Sequence, residues 1–227
     1  MFLYEVVPDP RSRDARRDLS DPYQMHATLS RAFSEPEAKC TSGEFLWRQE
    51  EWPGNYGRSR LLVQSRSRAK WEHLPHSWFE GKPREGASLV GSLSGSSNLE
   101  GSPYRFRLRA NPSVCRNGKR IGLMKQVEYD PWLIRQGTQH GFQVLSSWPS
   151  QELLITARQH AGNSISVFTV LFDGVLAIVE PQKFVNALSG GIGRAKALGL
   201  GLLSVHPIDA RTVSAYERSI ERLSDGA

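Results

Sequence analysis

Cysteine is nearly absent: Cys40 and Cys115 are the only two in 227 residues, far apart and without a CxxC neighbour. That pattern excludes a disulfide framework and a zinc-finger ligand set, and it suits a reducing, cytoplasmic compartment. No stretch approaches the ~20 consecutive apolar residues that a membrane-spanning helix needs, so no membrane partner is expected. The opening "MFLYEVVPDPRSRD" turns polar too soon for a secretory signal. His73 and His76 stand close together, but Pro75 breaks the helix that would co-orient them and no carboxylate pair joins them, so no metal is expected. The signatures GxSxG, HExxH and Gly-Lys-Ser/Thr do not occur. Lysine is also scarce, with 7 against 22 arginines among the 29 basic residues.

What is present is arginine and positive charge. The formal net charge is +6 and the pI is about 9.5. Guanidinium forks bind phosphate bidentately and stack on bases, so the arginine bias favours nucleic acid over a generally basic surface. The stretch "YRFRLRANP" (104–112) alternates Arg105, Arg107 and Arg109 with Tyr104, Phe106 and Leu108. On a strand the three guanidinium groups share one face. That face either lies along an RNA path or pairs with carboxylates across a cleft.

The length suits one large domain or two of about 100 residues. Residues 2–7 read as a buried strand, and 8–20 as a polar, arginine-rich connection. A helix opens at Asp21, its N-cap, with Pro22 at the first helical position. "EFLWRQE" (44–50) and "RLLVQSR" (60–66) read as strands, and 69–80 as a short helix. The Gly/Ser-rich stretch 81–103 reads as a linker with one weak strand near 88–93. The pattern then restarts: a strand at 104–110, a helix over 127–140 starting near Asp130-Pro131, extended segments at 142–148 and 152–159, and strand through 164–180 with a turn at Asp173-Gly174. A helix follows from Pro181, then a glycine-containing strand through 197–207. Both halves sketch β-α-β-β-α-β, so the expected fold is α+β with two tandem ferredoxin-like domains, 1–100 and 101–207. Residues 208–227 read as an amphipathic helical tail, with Val213, Tyr216, Ile220 and Leu223 at helical spacing.

Chemistry concentrates in three places. On the first helix, Tyr23, His26 and Ser30 share a stripe beside the apolar Met25, Leu29, Ala32 and Phe33. A phenol and an imidazole within reach of each other suit proton transfer near neutral pH; the alternative is a partly buried histidine bonded to backbone. In "GGIGRAKALGLGLLSV" (190–205), Gly191, Gly193, Gly199 and Gly201 flank Arg194 and Lys196. Glycines admit a phosphate chain and the cations supply charge, although a helix C-cap followed by close packing explains Gly199 and Gly201 equally well. The segment lacks the third glycine of a dinucleotide fingerprint, because Lys196 stands there, so no nucleotide cofactor is expected. "ARQHAGNS" (157–164) reads as a hairpin tip projecting Arg158 and His160, either toward an A-form groove or simply into solvent.

Together "RRDLSDPYQMHATL", "YRFRLRANP…GKRIGL" and "GGIGRAKALGLGLLSV" resemble the CasE endoribonucleases of type I-E CRISPR systems, within the RAMP superfamily. The likeness runs in order from residue 1 to about 207. It implies metal-independent, cofactor-free cleavage of precursor CRISPR RNA at the base of each repeat hairpin, and retention of the hairpin within the Cascade complex. It implies a prokaryotic cytoplasmic protein that is a monomer when isolated. Tyr23 and His26 match the family's Tyr-x-x-His, with His26 handling a proton, from the 2′-OH or to the 5′-oxygen, and Tyr23 positioning the phosphate or sharing the acid–base role. The glycine loop matches at Gly191, Gly193, Gly199 and Gly201. The basic hairpin corresponds to the segment around Arg158, here shorter and poorer in lysine. With RNA as the implied substrate, Arg31, Arg105, Arg107, Arg109, Arg158, Arg194 and Lys196 are expected to contact it. A non-catalytic RNA-binding subunit of the same complex is the alternative.

Overall fold

A computed structural model describes residues 1–35, 43–51, 58–87, 99–158 and 164–208. The first sheet contains β1 (Phe2–Val6), β2 (Phe45–Glu51), β3 (Ser59–Ser65) and β4 (Arg84–Gly86) in the order β2-β3-β1-β4. The second contains β5 (Pro103–Ala110), β8 (Phe142–Arg158), β9 (Ser164–Ile178) and β10 (Leu203–Pro207) in the order β10-β5-β9-β8. Counted within each unit, both orders are 4-1-3-2 and every pairing is antiparallel. This is the tandem ferredoxin-like arrangement, and each sheet carries its own hydrophobic core.

Several local readings hold and several shift. Residues 13–20 are not a connection but a helix, α1 (Arg13–Ser20), capped by Ser12 and carrying Asp14 in its first turn. α2 (Pro22–Ser30) begins as expected, because the Asp21 carboxylate accepts from the Tyr23 N–H at 2.9 Å. Pro75 splits the expected 69–80 helix into two 3-10 turns, Trp71–His73 and His76–Trp78, since the residue before proline is driven out of the helical region. The fourth strand lies at 84–86; the expected 88–93 falls outside the described residues, as do the hairpin tip 159–163 and the tail from 209.

In the second unit, β6 (Ser113–Arg116) and β7 (Lys119–Gly122) form a hairpin that the pattern reading passed over. Its signal is Asn117-Gly118, both at positive φ as a type I′ turn requires. α3 (Gln126–His140) starts four residues before Asp130, because Glu128 reaches back to the Lys125 N–H. β8 is one continuous strand with irregularities at Val144/Ser146 and Pro149/Gln151. Asp173-Gly174 is not a turn. Gly174 sits where a Cβ would meet the Ser146 carbonyl at 2.2 Å and the Phe106 ring at 2.6 Å, while Asp173 binds Arg107. After α4 (Pro181–Gly190) the glycine loop is not strand until Leu203; Lys196–Leu198 form a 3-10 turn.

The two units are joined through β2. Its first four residues, Phe45, Leu46, Trp47 and Arg48, are all buried, so the strand is covered on both faces. Phe45 and Trp47 face the first core, while Leu46 meets Gly191 of the second unit. Arg48, 2% exposed, donates to the carbonyls of Arg107 (3.1 Å) and Leu202 (2.7 Å), to Ser204 Oγ (2.9 Å) and to Glu50 (2.8 Å). Gln64 adds a buried bond to the Leu188 carbonyl at 2.6 Å. A buried guanidinium costs several kcal/mol to desolvate, and its bonds roughly offset that cost. Removing it leaves two buried carbonyls without that donor and Glu50 with Arg107 alone. Arg48→Ala is therefore expected to lower unfolding free energy by about 3–5 kcal/mol, measured by urea denaturation.

Candidate active site

α2, which carries Tyr23 and His26, packs against the Lys196–Leu198 turn and against β8 of the second unit. Asp21 fixes the approach twice, by capping α2 and by accepting from the Arg158 backbone N–H at 3.3 and 3.4 Å. The His26 ring stacks on Phe45, with centroids 4.9 Å apart and planes at 21°. Its Nδ1 is enclosed and has no hydrogen-bond partner among the described residues. Burial holds its pKa below the ordinary histidine value, so the ring is neutral at pH 7 and ready to accept a proton. Tyr23 lies one turn before it, half-buried.

The arginines divide. Arg105 is exposed. Arg107 makes a bidentate pair with Asp173 (2.6 and 3.0 Å) and a third bond to Glu50 at 2.9 Å, which is the pairing of charges across a cleft. Glu50 is pushed up by burial, yet Arg48 and then Arg107 hold it below the usual carboxylate range. Arg109 is 8% exposed and donates to Gln151, and its Nη1 has no partner among the described residues. Arg31 donates to the His73 carbonyl at 2.9 Å, while His73 Nδ1 lies 3.0 Å from the Arg31 carbonyl, so this guanidinium is tied to the first unit. The Arg158 side chain is exposed at the end of β8.

The glycine loop is built for close packing. Gly191 has φ 72° and ψ 160°, a region essentially closed to other residues, and a Cβ there would meet Leu46 and the Gly201 carbonyl at 2.9 Å. At Gly199, with φ +79°, a Cβ would meet the Trp47 ring at 2.9 Å. Gly193, Arg194 and Lys196 instead line a cavity of about 310 Å³ with Arg120 and His140. Lys196 Nζ donates to the Gly190 carbonyl at 2.6 Å, and burial lowers its pKa. A larger cavity of about 410 Å³ opens between the sheets, from Pro22 to Leu171. Sequence reasoning missed Arg48, Glu50 and Asp173; the unbroken apolar run "FLWR" ending in arginine was the available signal. Cys115 is a free, exposed thiol, and the described residues contain no cluster suited to hold a metal and no helix long and apolar enough to cross a membrane.

The fold is that of a tandem ferredoxin-like protein in which the helix carrying Tyr23 and His26 packs beside a cleft lined by Arg107 and Arg109. A family described as CRISPR associated protein matches residues 1–207. The chain is 36% identical over 223 residues to the CRISPR-associated endoribonuclease Cse3 of Thermus thermophilus, covering 91% of this chain and 100% of that protein. It is 33% identical to the CRISPR system Cascade subunit CasE of Escherichia coli, covering 92% and 100%. A structure of Thermus thermophilus Cse3 bound to an RNA representing a pre-cleavage complex superposes with a TM-score of 0.76 at 34% identity, covering 91% of this chain and 98% of that one. The chain belongs to the CasE family of CRISPR-associated proteins.

The depressed His26 pKa has a stability consequence. The folded state resists protonating the ring, so stability is full above the ordinary histidine value near 6.5 and falls as pH drops through the lower folded-state value. As pH is lowered from 7.5 to 5, the difference in Tm between His26→Gln and the wild type is expected to move in the variant's favour, as read by thermal melts.

Proposed function

We propose that this chain is a metal-independent endoribonuclease of the prokaryotic cytoplasm. It cuts precursor CRISPR RNA at the base of the repeat hairpin and stays on the product as a Cascade subunit, being a monomer before assembly. Residues 1–100 form the unit that carries the Tyr23/His26 helix, and 101–207 the unit that carries the hairpin and glycine loop. The observation that carries the reading is His26: an imidazole kept neutral by burial, locked by a ring stack, at the seam of the two units.

RNA brings its own nucleophile. His26 takes the 2′-OH proton as the 2′-oxygen bonds to phosphorus; the P–O5′ bond breaks and the leaving 5′-oxygen takes a proton from solvent water, giving a 2′,3′-cyclic phosphate and a 5′-OH. A metal is not required, because alignment and charge stabilisation supply the acceleration. Tyr23, one turn away, positions the phosphate. Arg158 and Lys196, on the two elements that α2 packs against, supply positive charge, with Arg31 further along the helix. Arg105 and Arg194 extend the basic surface toward the stem, and the rigid Gly191–Gly193 backbone sets the loop's approach. Arg107 and Arg109, engaged at the cleft, hold its shape.

With EDTA present, wild type is expected to cut a repeat hairpin, His26→Ala to cut it about 10²–10⁴-fold more slowly with unchanged affinity, and a 2′-deoxy substitution at the cut to abolish cleavage. Cleavage untouched by His26→Ala would remove the assignment. Hairpin affinity measured across a salt series separates the arginines: Arg105→Ala flattens the log–log slope by about one unit, whereas Arg107→Ala leaves the slope and lowers Tm.

A further inference from the structure

One face of α3 is apolar and turned to water. Val127, Pro131 and Ile134 recur at helical spacing on the side opposite the buried Tyr129 and Leu133. All three are exposed, Val127 at 79% and Ile134 at 59%. Ile121 on β7 and Met124 just before the helix are exposed as well. Soluble chains seldom leave a continuous apolar stripe uncovered. The other large exposed apolar side chains sit on β8 or β9 or, for Val179, beside the end of α3.

A cover for the stripe is written in the same chain. After β10 the sequence runs on through 209–227, beyond the family match at 1–207. Val213, Tyr216, Ile220 and Leu223 share one side at helical spacing; Glu217 and Glu221 edge that side, and Arg218 and Arg222 fall on the far one. A helix this short is marginal in water by itself, so such a pattern gains its stability against an apolar surface. Arg135, exposed beside the α3 stripe, complements the acidic edge.

The exit point of the chain fits that surface. The Ile208 N–H donates to the Pro103 carbonyl at 3.3 Å, and Pro103 pairs with Ala177 on β9. Two residues further on, the Val179 N–H donates at 2.9 Å to the carbonyl of Gly141, the residue after α3. β10 therefore releases the chain at the end of the sheet where α3 also stops, about two strand spacings (~10 Å) to the side. From His140 back to Val127 is about 20 Å of helix, and residues 209–227 wound as a helix span about 28 Å.

We propose that residues 209–227 fold back as an amphipathic helix on the exposed face of α3, antiparallel to it, with Val213 toward Ile134 and Leu223 toward Val127. The occupant is the tail of the same molecule, because its length, its apolar side and the end of the sheet from which it leaves all match the stripe. The second unit then carries a third layer, outside the helices that cover its sheet.

Hydrogen exchange read by mass spectrometry on the full chain tests this. In wild type the amides of 213–223 are expected to exchange at least about tenfold more slowly than unstructured peptide, and Val127→Asp and Ile134→Asp each to return them to that rate. Ile220→Asp, outside both hydrophobic cores, is expected to do the same while exchange in β5 and β9 stays unchanged. Leu154→Asp, at an apolar residue 64% exposed on β8, leaves the protection in place. A tail that exchanges at the unstructured rate in wild type overturns the proposal, as does protection that survives the α3 variants or Ile220→Asp, or that Leu154→Asp removes. Protection that grows with protein concentration, alongside a dimer in light scattering, gives the stripe to a second copy's tail and overturns the fold-back.

Discussion

A single guanidinium, that of Arg48, holds the two units in register. Its donors end on backbone carbonyls of β5 and the segment before β10, on a serine of β10 and on Glu50 of its own strand. Planar geometry makes such a group specific as well as cohesive, because a shift of β2 by one residue would misalign the whole fork. Glu50, fixed by Arg48, in turn receives Arg107, which is locked to Asp173 on β9. One alternating chain of charges thus runs from the first sheet through the second, and the cleft walls follow from it.

The active rim is a product of that joint rather than of either unit. α2 supplies the phenol and imidazole, β2 supplies the ring beneath, and the second unit closes over them with the glycine loop and β8. Gly199 matters because it lets Trp47 and the loop touch; any side chain there would push the loop off the first unit. Burial lowers the His26 pKa, and an exposed imidazole on the same helix would keep its ordinary value.

Much of this was legible in residues close together in the chain. Asp21-Pro22 marked the helix start, Pro181 the start of α4, and alternation marked most strands, since caps and periodicity are settled within a few residues. The misses share a cause. Asp173-Gly174 carries turn chemistry but serves a long-range contact, with glycine making room for a carbonyl and a phenyl ring. Pro149 inside β8 and Pro131 inside α3 suggested interruptions that an irregular pairing and an early helix turn absorb. Residues 13–20 lacked apolar periodicity because α1 buries little beyond Ala15 and Asp18.

The sequence alone determined most of the strands, the doubled βαββαβ plan and the basic composition, because each is written in local spacing or composition. Only the tertiary structure decided which arginines are committed and where the glycines pack. Those outcomes depend on partners such as Arg48 and Leu202, 154 positions apart, whose meeting no local pattern encodes.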